Sequence, residues 1–231
     1  MVLAMRHGGC PEAAYRALAE LCGIYWRPLY AFARRAGHQP HDAEDLTQSF
    51  LADVLERNIL ATADAERGRL RHLLLACFNN HINNALRVKG AKKRGGGLLH
   101  LSLDSLRELE SESAFDAQSK DSPQSVYERQ CAMELVQRAM TALRDEQVAL
   151  GRGDLFDQLS GELHQPGMTE GRQEAIADRV GLKPGTLRQA LHRLRRRFRE
   201  ILRDQVRETL NQPSEQAIDE ELAALRAALE G

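Results

Sequence analysis

GRQEAIADRVGLKPGTLRQALHRLRRRFREIL, residues 171–202, is the stretch on which the reading of this chain turns. Ile176, Ala177 and Val180 mark a short first helix that stops at Gly181. Leu182 fills the turn. Pro184 suits the first position of a second helix, because its fixed φ and missing N–H cost nothing there. Leu187, Leu191, Leu194, Phe198 and Ile201 then line one face at spacings of four, three, four and three. The residues left outside are Arg188, Gln189, His192, Arg193, Arg195, Arg196 and Arg199. Two helices, a tight turn and a basic second helix make a helix-turn-helix. Thr186, Arg188, Gln189 and His192 occupy the turns that reach base edges in a major groove. Arg193, Arg195, Arg196 and Arg199 follow where guanidiniums meet phosphates, and Lys183 precedes them at the turn. A solvated face laced with ion pairs is the plainer alternative. It fails on charge, because only Glu200 and Asp204 accompany nine basic residues between 183 and 207.

That concentration stands out because the whole 231-residue chain has a formal charge of −1. A second basic block, residues 85–94, holds five cations and no acid. Two acidic blocks alternate with these, at 98–125 and at 208–231, each with six acids. Segregation of this kind points to polyanion binding by the basic parts. No apolar run has the length of a membrane span. The start, MVLAMRHGGCPEAAYR, lacks a sustained apolar core and a cleavage site, so the expectation is a cytoplasmic protein with no membrane association. Cys10, Cys22, Cys77 and Cys131 form no CxxC pair, which argues against a disulfide framework or structural zinc.

Helical spacing extends through most of the chain, and strand patterns are scarce. Tyr15, Leu18, Leu21 and Cys22, then Tyr25, Leu29, Phe32 and Ala33, share a face up to Gly37. Asp42 reads as the N-cap of a second helix carrying Leu46, Phe50, Val54 and Leu55 inward. A third helix starts near Gly68 and buries Leu70, Leu73, Leu74, Cys77 and Ile82, until KGAKKRGGG closes it. The expectation is an all-α protein of two helical domains, 11–97 and 126–210. An acidic linker, 98–125, joins them, and an acidic amphipathic extension, 211–231, follows. Ile218, Leu222, Leu225 and Leu229 give that extension one apolar face.

The third helix carries Asn79, Asn80, Asn83 and Asn84, all mediocre helix formers. Amides of this kind pair with base edges or with bases exposed in an opened strand, or else cap and bond within the domain. The eight histidines form no ligand pair such as HExxH, and KRGGG lacks the Lys-Ser/Thr of a phosphate loop. No cofactor and no catalytic residue are read from the sequence, which is taken as a non-enzyme.

Taken together, HDAEDLTQSFLADVLER, GRLRHLLLACFNNHINNALRVKGAKKRGGG and EAIADRVGLKPGTLRQALHRLRRRFREIL resemble the sigma-70 family, in particular its small two-domain sigma factors of the extracytoplasmic-function type. The resemblance covers most of the chain. It implies a region 2-like first domain and a region 4-like second one. The implied partners are core RNA polymerase, through its β′ coiled coil and β subunit, and promoter DNA. Asp42, Glu44, Asp45, Leu46 and Gln48 would dock on the coiled coil. Arg69, Arg71, Asn80, Asn83, Asn84, Arg87, Lys89, Lys92, Lys93 and Arg94, with Arg67, would hold the −10 element. The helix-turn-helix would hold the −35 element. An anti-sigma factor is a further expected partner, and the acidic C-terminal helix is expected to cover the basic helix in self-inhibition, to cap the second domain, or to bind a regulator. The chain departs from the family pattern at Leu73, where many members carry Trp, and at Asn84, where Asp is frequent. Lys183 stands where an N-capping Ser is common, weakening that helix start by about 1 kcal/mol. A stand-alone helix-turn-helix regulator that binds duplex DNA without polymerase is the competing reading.

Overall fold

Seven prolines punctuate the chain, and four of them, Pro11, Pro40, Pro123 and Pro184, are the first residues of helices. That is where proline's locked φ helps and its absent N–H is not missed. The computed structural model describes residues 11–56, 69–91, 121–163, 169–210 and 213–230. These contain helices α1 (Pro11–Arg35), α2 (Pro40–Glu56), α3 (Leu70–Ala91), α4 (Pro123–Ala149), α5 (Gly153–Leu159), α6 (Glu170–Arg179), α7 (Pro184–Thr209) and α8 (Glu215–Glu230). A 3-10 turn, Ser160–Glu162, follows α5, and no strand occurs among the described residues. The all-α expectation holds. The acidic linker, apart from residues 121–125, lies outside the described residues.

The chain divides into two compact units, Met1–Cys131 with Ala227–Gly231, and Ala132–Arg226. The division falls inside α4, so the Pro123–Cys131 turns go with the first unit, although the sequence groups residues 126 onward with the second.

In the first unit, α1 ends in a Schellman motif. Gly37, at φ 98°, donates to the Arg34 carbonyl at 3.1 Å, and His38 donates to Ala33 at 3.1 Å. The positive φ selects glycine there. Pro28 sits inside α1, where it has no N–H to offer the Ile24 carbonyl. α2 begins two residues before Asp42, so Asp42 lies in the first turn and is not the N-cap. It still faces the positive end of the helix dipole. Leu21, Leu29, Leu74, Phe50 and Phe78 are buried and form the core. Aromatics make up only 5% of the sequence. They are nonetheless gathered here: Phe50 and Phe78 lie 5.1 Å apart, Phe32 and Phe78 6.1 Å, and Phe32 and Tyr127 6.4 Å at an angle of 87°. The two edge contacts of Phe32, with Phe78 and Tyr127, add about 0.5–1.5 kcal/mol each beyond burial. Tyr127 is fully buried, and its hydroxyl donates to the Arg71 carbonyl at 2.8 Å.

The second unit is built around Ala139, Leu143, Phe156, Leu159, Leu163, Ile176, Ala177, Leu187, Leu191, Leu194 and Ile201. The expected inner stripe of the basic helix is present, with Phe198 packed at its margin. In α8, Ile218 and Leu225 are buried and Leu222 is half-buried. Leu229, expected on the same face, is 43% exposed. Glu221 is buried instead.

Candidate nucleic-acid interface

α6 and α7 meet through a turn that their sequences specify. Gly181, at φ 67°, donates to the Asp178 carbonyl at 3.3 Å, and Leu182 donates to Ala177 at 2.9 Å. This second Schellman motif closes α6 and seats Leu182 beneath the turn. Lys183 is the N-cap of α7 and makes no side-chain cap, as its chemistry requires. Leu187 anchors the first turn with no exposure at all. Burying a leucine contributes about 1.5–3 kcal/mol.

Anchoring that stripe turns the basic residues outward, but they do not share one fate. Lys183, Thr186, Gln189, His192, Arg193 and Arg199 are exposed, and their side chains make no hydrogen bond or ion pair with any described residue. Arg196 is 72% exposed and lies 3.4 Å from Glu200. Arg188 is exposed and donates to the Gln173 side chain at 3.1 Å. Arg195 does not join the outer row: half-buried, it donates to the Glu162 carbonyl at 2.7 Å, which draws its guanidinium back toward the protein. Arg197 turns to Glu146 at 2.6 and 2.9 Å and to Glu200 at 3.1 Å. These hydrogen bonds raise the Arg197 pKa, and the bond from Arg197 holds Glu146 below the usual carboxylate range. A cleft of about 330 Å³ runs beside the first turns of α7. Leu155, Phe156, Leu182, Ala190 and Leu194 floor it, and Arg152, Arg193 and Arg196 stand on its rim. Arginine stems over apolar floor with heads in water are the expected arrangement for long cationic side chains.

The far end of α7 is covered. Arg203 donates to Glu215 at 2.5 Å and to Asp219, and Arg207 donates to Asp204 and to Glu215 at 3.2 Å. The acids of α8 therefore meet the last two turns of α7 and not Arg193 or Arg199, which have no side-chain partner among the described residues. Behind the helix-turn-helix, Arg172 donates to Glu162 Oε1 at 3.2 Å and lies 3.1 Å from Oε2 without a hydrogen-bonding angle there.

In the first unit, Asn80, Asn83, Asn84 and Arg87 form an exposed polar surface on α3. Asn79 donates to the Leu75 carbonyl at 3.1 Å and is used within the helix. Arg71 is a correction to the expected set. It is 5% exposed and 3.9 Å from Glu128, so a phosphate cannot reach it. Arg69 is half-buried at the start of the helix. Lys89 falls within the last turns of α3. Arg67, Lys92, Lys93 and Arg94 lie outside the described residues. On α2, Asp42, Glu44, Asp45 and Gln48 are at least partly exposed, with Gln48 donating to Glu44 at 3.4 Å and His41 placed 3.6 Å from Asp45. Leu46 is a second correction. It belongs to the core, and no docking partner can reach its side chain.

One constellation escaped the sequence reading. His81 Nε2 is 2.9 Å from Ser49 Oγ, and His81 Nδ1 is 3.1 Å from Asp53. The order resembles a nucleophilic triad. Ser49, however, sits inside α2, where neighbouring amides are committed to the helix and none is free to hold an oxyanion. The three residues instead tie α2 to α3.

No helix among the described residues is long and apolar enough to cross a membrane. No group of three His, Cys, Asp or Glu side chains among them could hold a metal ion. Comparison with protein-family models, with curated proteins and with solved structures finds no match for this chain.

Proposed function

We propose that the chain is a promoter-specificity subunit of bacterial RNA polymerase, which brings core polymerase to −10 and −35 promoter elements and helps open the duplex. It performs no bond chemistry of its own. One observation carries the DNA-binding part. The N-cap and first five turns of α7 present the side chains of Lys183, Arg193 and Arg199 with no partner among the described residues, on a helix that a glycine turn and a leucine stripe hold outward. Cations left unpaired on one helix face supply the electrostatic part of duplex affinity. The exposed Asn80, Asn83 and Asn84 of α3 support a second nucleic-acid contact in the other unit. The acidic face of α2 and the order of the three quoted segments support the polymerase partner, through the resemblance to sigma factors.

Run-off transcription with purified core polymerase on genomic fragments tests the reading. Specific initiation that depends on this chain, together with co-purification of core polymerase, is the expected result. Tight operator binding by the isolated chain, with no effect on initiation, would make it a stand-alone regulator.

A further inference from the structure

Gln173 was not among the residues singled out in the sequence, yet it joins the two helices of the helix-turn-helix. Its side chain is 7% exposed. A buried amide is tolerated only when its donor and acceptor both find partners. Here Nε2 donates to the Pro184 carbonyl at 3.0 Å, and Oε1 accepts from Arg188 Nη2 at 3.1 Å. The opposite amide orientation would set a carbonyl against a carbonyl and an NH2 against a guanidinium, so the chemistry fixes the assignment. Pro184 is the first residue of α7, and Arg188 is one turn later. One side chain therefore holds both the start of the helix and the arginine that leaves its first turn.

The consequence lies in what Arg188 has left. A guanidinium carries five N–H donors in a planar fork, and one is used by Gln173. A two-donor edge remains for an outside acceptor pair. Arg188 is exposed, and Leu191 and Arg195 line the same small notch beside it. Arg195 is itself tethered, to the Glu162 carbonyl. An untethered arginine must give up its rotamer freedom when it docks, whereas one already held by an amide loses less. In the major groove, the acceptor pair that fits such an edge is O6 and N7 of guanine.

We infer that Gln173 is a positioning residue that presents Arg188 for bidentate recognition of a guanine in the upstream promoter element. The inference rests on the DNA-binding reading above and adds to it the residue that sets base preference without touching DNA.

The test uses the full chain assembled with bacterial core RNA polymerase and pools of duplex promoters with the upstream element randomised one base pair at a time. Wild type, Gln173→Met, Arg188→Ala and the double variant are compared, with thermal melts of each. Methionine keeps the length and apolar fit of glutamine and removes both hydrogen bonds. Wild type should prefer guanine at one position, and Gln173→Met should lose about 5- to 50-fold of that preference, the range expected when a bidentate arginine contact is loosened. In the Arg188→Ala background, Gln173→Met should add nothing at that position. Gln173→Glu keeps the acceptor facing Arg188, and it should retain the preference even if overall affinity falls. Should Gln173→Met not fold, the glutamate variant decides alone. Loss of the guanine preference by Gln173→Glu as complete as by Arg188→Ala overturns the inference. So does an equal effect of Gln173→Met with and without Arg188, which would make the amide a brace for the turn. Absence of a guanine preference in wild type overturns this inference alone, whereas absence of any promoter binding by the assembled complex overturns the DNA-binding reading beneath it.

Discussion

Arg193 and Arg197 are four residues apart on one helix, yet the structure gives them opposite uses. Arg193 has no side-chain partner among the described residues, and Arg197 is held by Glu146 and Glu200. Arg193→Ala and Arg199→Ala should each lower duplex affinity across all sequences and reduce the salt slope by about one, with melting temperature unchanged. Titrating affinity against salt concentration checks this. Arg197→Ala should leave that slope alone and cost at most about 1 kcal/mol of stability, because the pair with Glu146 is partly solvent-exposed. The sequence could not separate these arginines. Counting charges nearby in the sequence finds Glu200 and Asp204, but Glu146 lies 51 residues from Arg197 and the Glu162 carbonyl 33 residues from Arg195. Gln173 was closer to being readable. It precedes Ile176, Ala177 and Val180 at helical spacing, so it is a polar residue on an apolar stripe, and such a residue needs partners. Tyr127 had no such signal, since its acceptor is 56 residues away. Tyr127→Phe leaves the Arg71 carbonyl without that donor inside the first unit. It should lower stability by about 1–2 kcal/mol in denaturant unfolding while the fold is retained.

Helices were more legible than contacts, because starts and stops are written locally. Prolines open four of them, and glycines at positive φ close α1 and α6. Gly181→Ala forces a Cβ into the left-handed region and should cost about 1–2 kcal/mol, seen as a lower unfolding midpoint of the second unit. Placing α8 was beyond local reading. Its apolar stripe says only that it packs somewhere, and covering the exposed basic face of α7 was one outcome. Glu215 and Asp219 instead take Arg203 and Arg207, the final turns of α7. Deleting residues 214–231 leaves the surroundings of Arg193 and Arg199 as they are, but it removes five acids and releases Arg203 and Arg207, so duplex affinity should rise and the gain should shrink with added salt. The same deletion should lower the melting temperature, because it removes the buried Ile218 and Leu225. The pH dependence has a definite sign. Hydrogen bonds from Arg203 and then Arg207 lower the Glu215 pKa, Arg197 lowers that of Glu146, and Arg144 lowers that of Asp157. A carboxylate with a depressed folded-state pKa stabilises the fold above its unfolded value. That contribution is lost as pH falls through the folded one. Melting temperature should thus be flat above about pH 5 and decline below the ordinary carboxylate values near 4. Added salt should shrink the change, because these pairs are exposed.

Across the whole molecule, an almost neutral net charge conceals two basic stretches of sequence, residues 85–94 and 183–207, amid acidic segments. The helical architecture, the outward basic row of α7 and the polar face of α3 were legible in the sequence, because periodicity and charge blocks are averages over many residues. Membership in each surface was not: Arg71 and Leu46 are buried, and only packing decides that. The two surfaces carry different chemistry, and that difference can be measured. The α7 surface is rich in guanidinium and suits intact duplex, where phosphates and guanine edges are presented together. The α3 surface joins the exposed amides of Asn80, Asn83 and Asn84 to one described exposed cation, Arg87, and suits bases already out of their pairs. With core polymerase on a promoter fragment, Arg188→Ala should weaken complex formation by about 1–3 kcal/mol in gel shifts. Complexes that do form should open normally, as read by permanganate reactivity of unpaired thymines. Asn80→Ala should do the reverse, with closed-complex affinity within about threefold of wild type and permanganate reactivity sharply reduced. Acidic segments elsewhere in the chain repel DNA, so the isolated protein should bind duplex only weakly at physiological salt, and core polymerase should strengthen that binding. If both substitutions instead depress binding and opening in the same proportion, the two surfaces serve one undivided contact, and the assignment of opening to α3 is wrong.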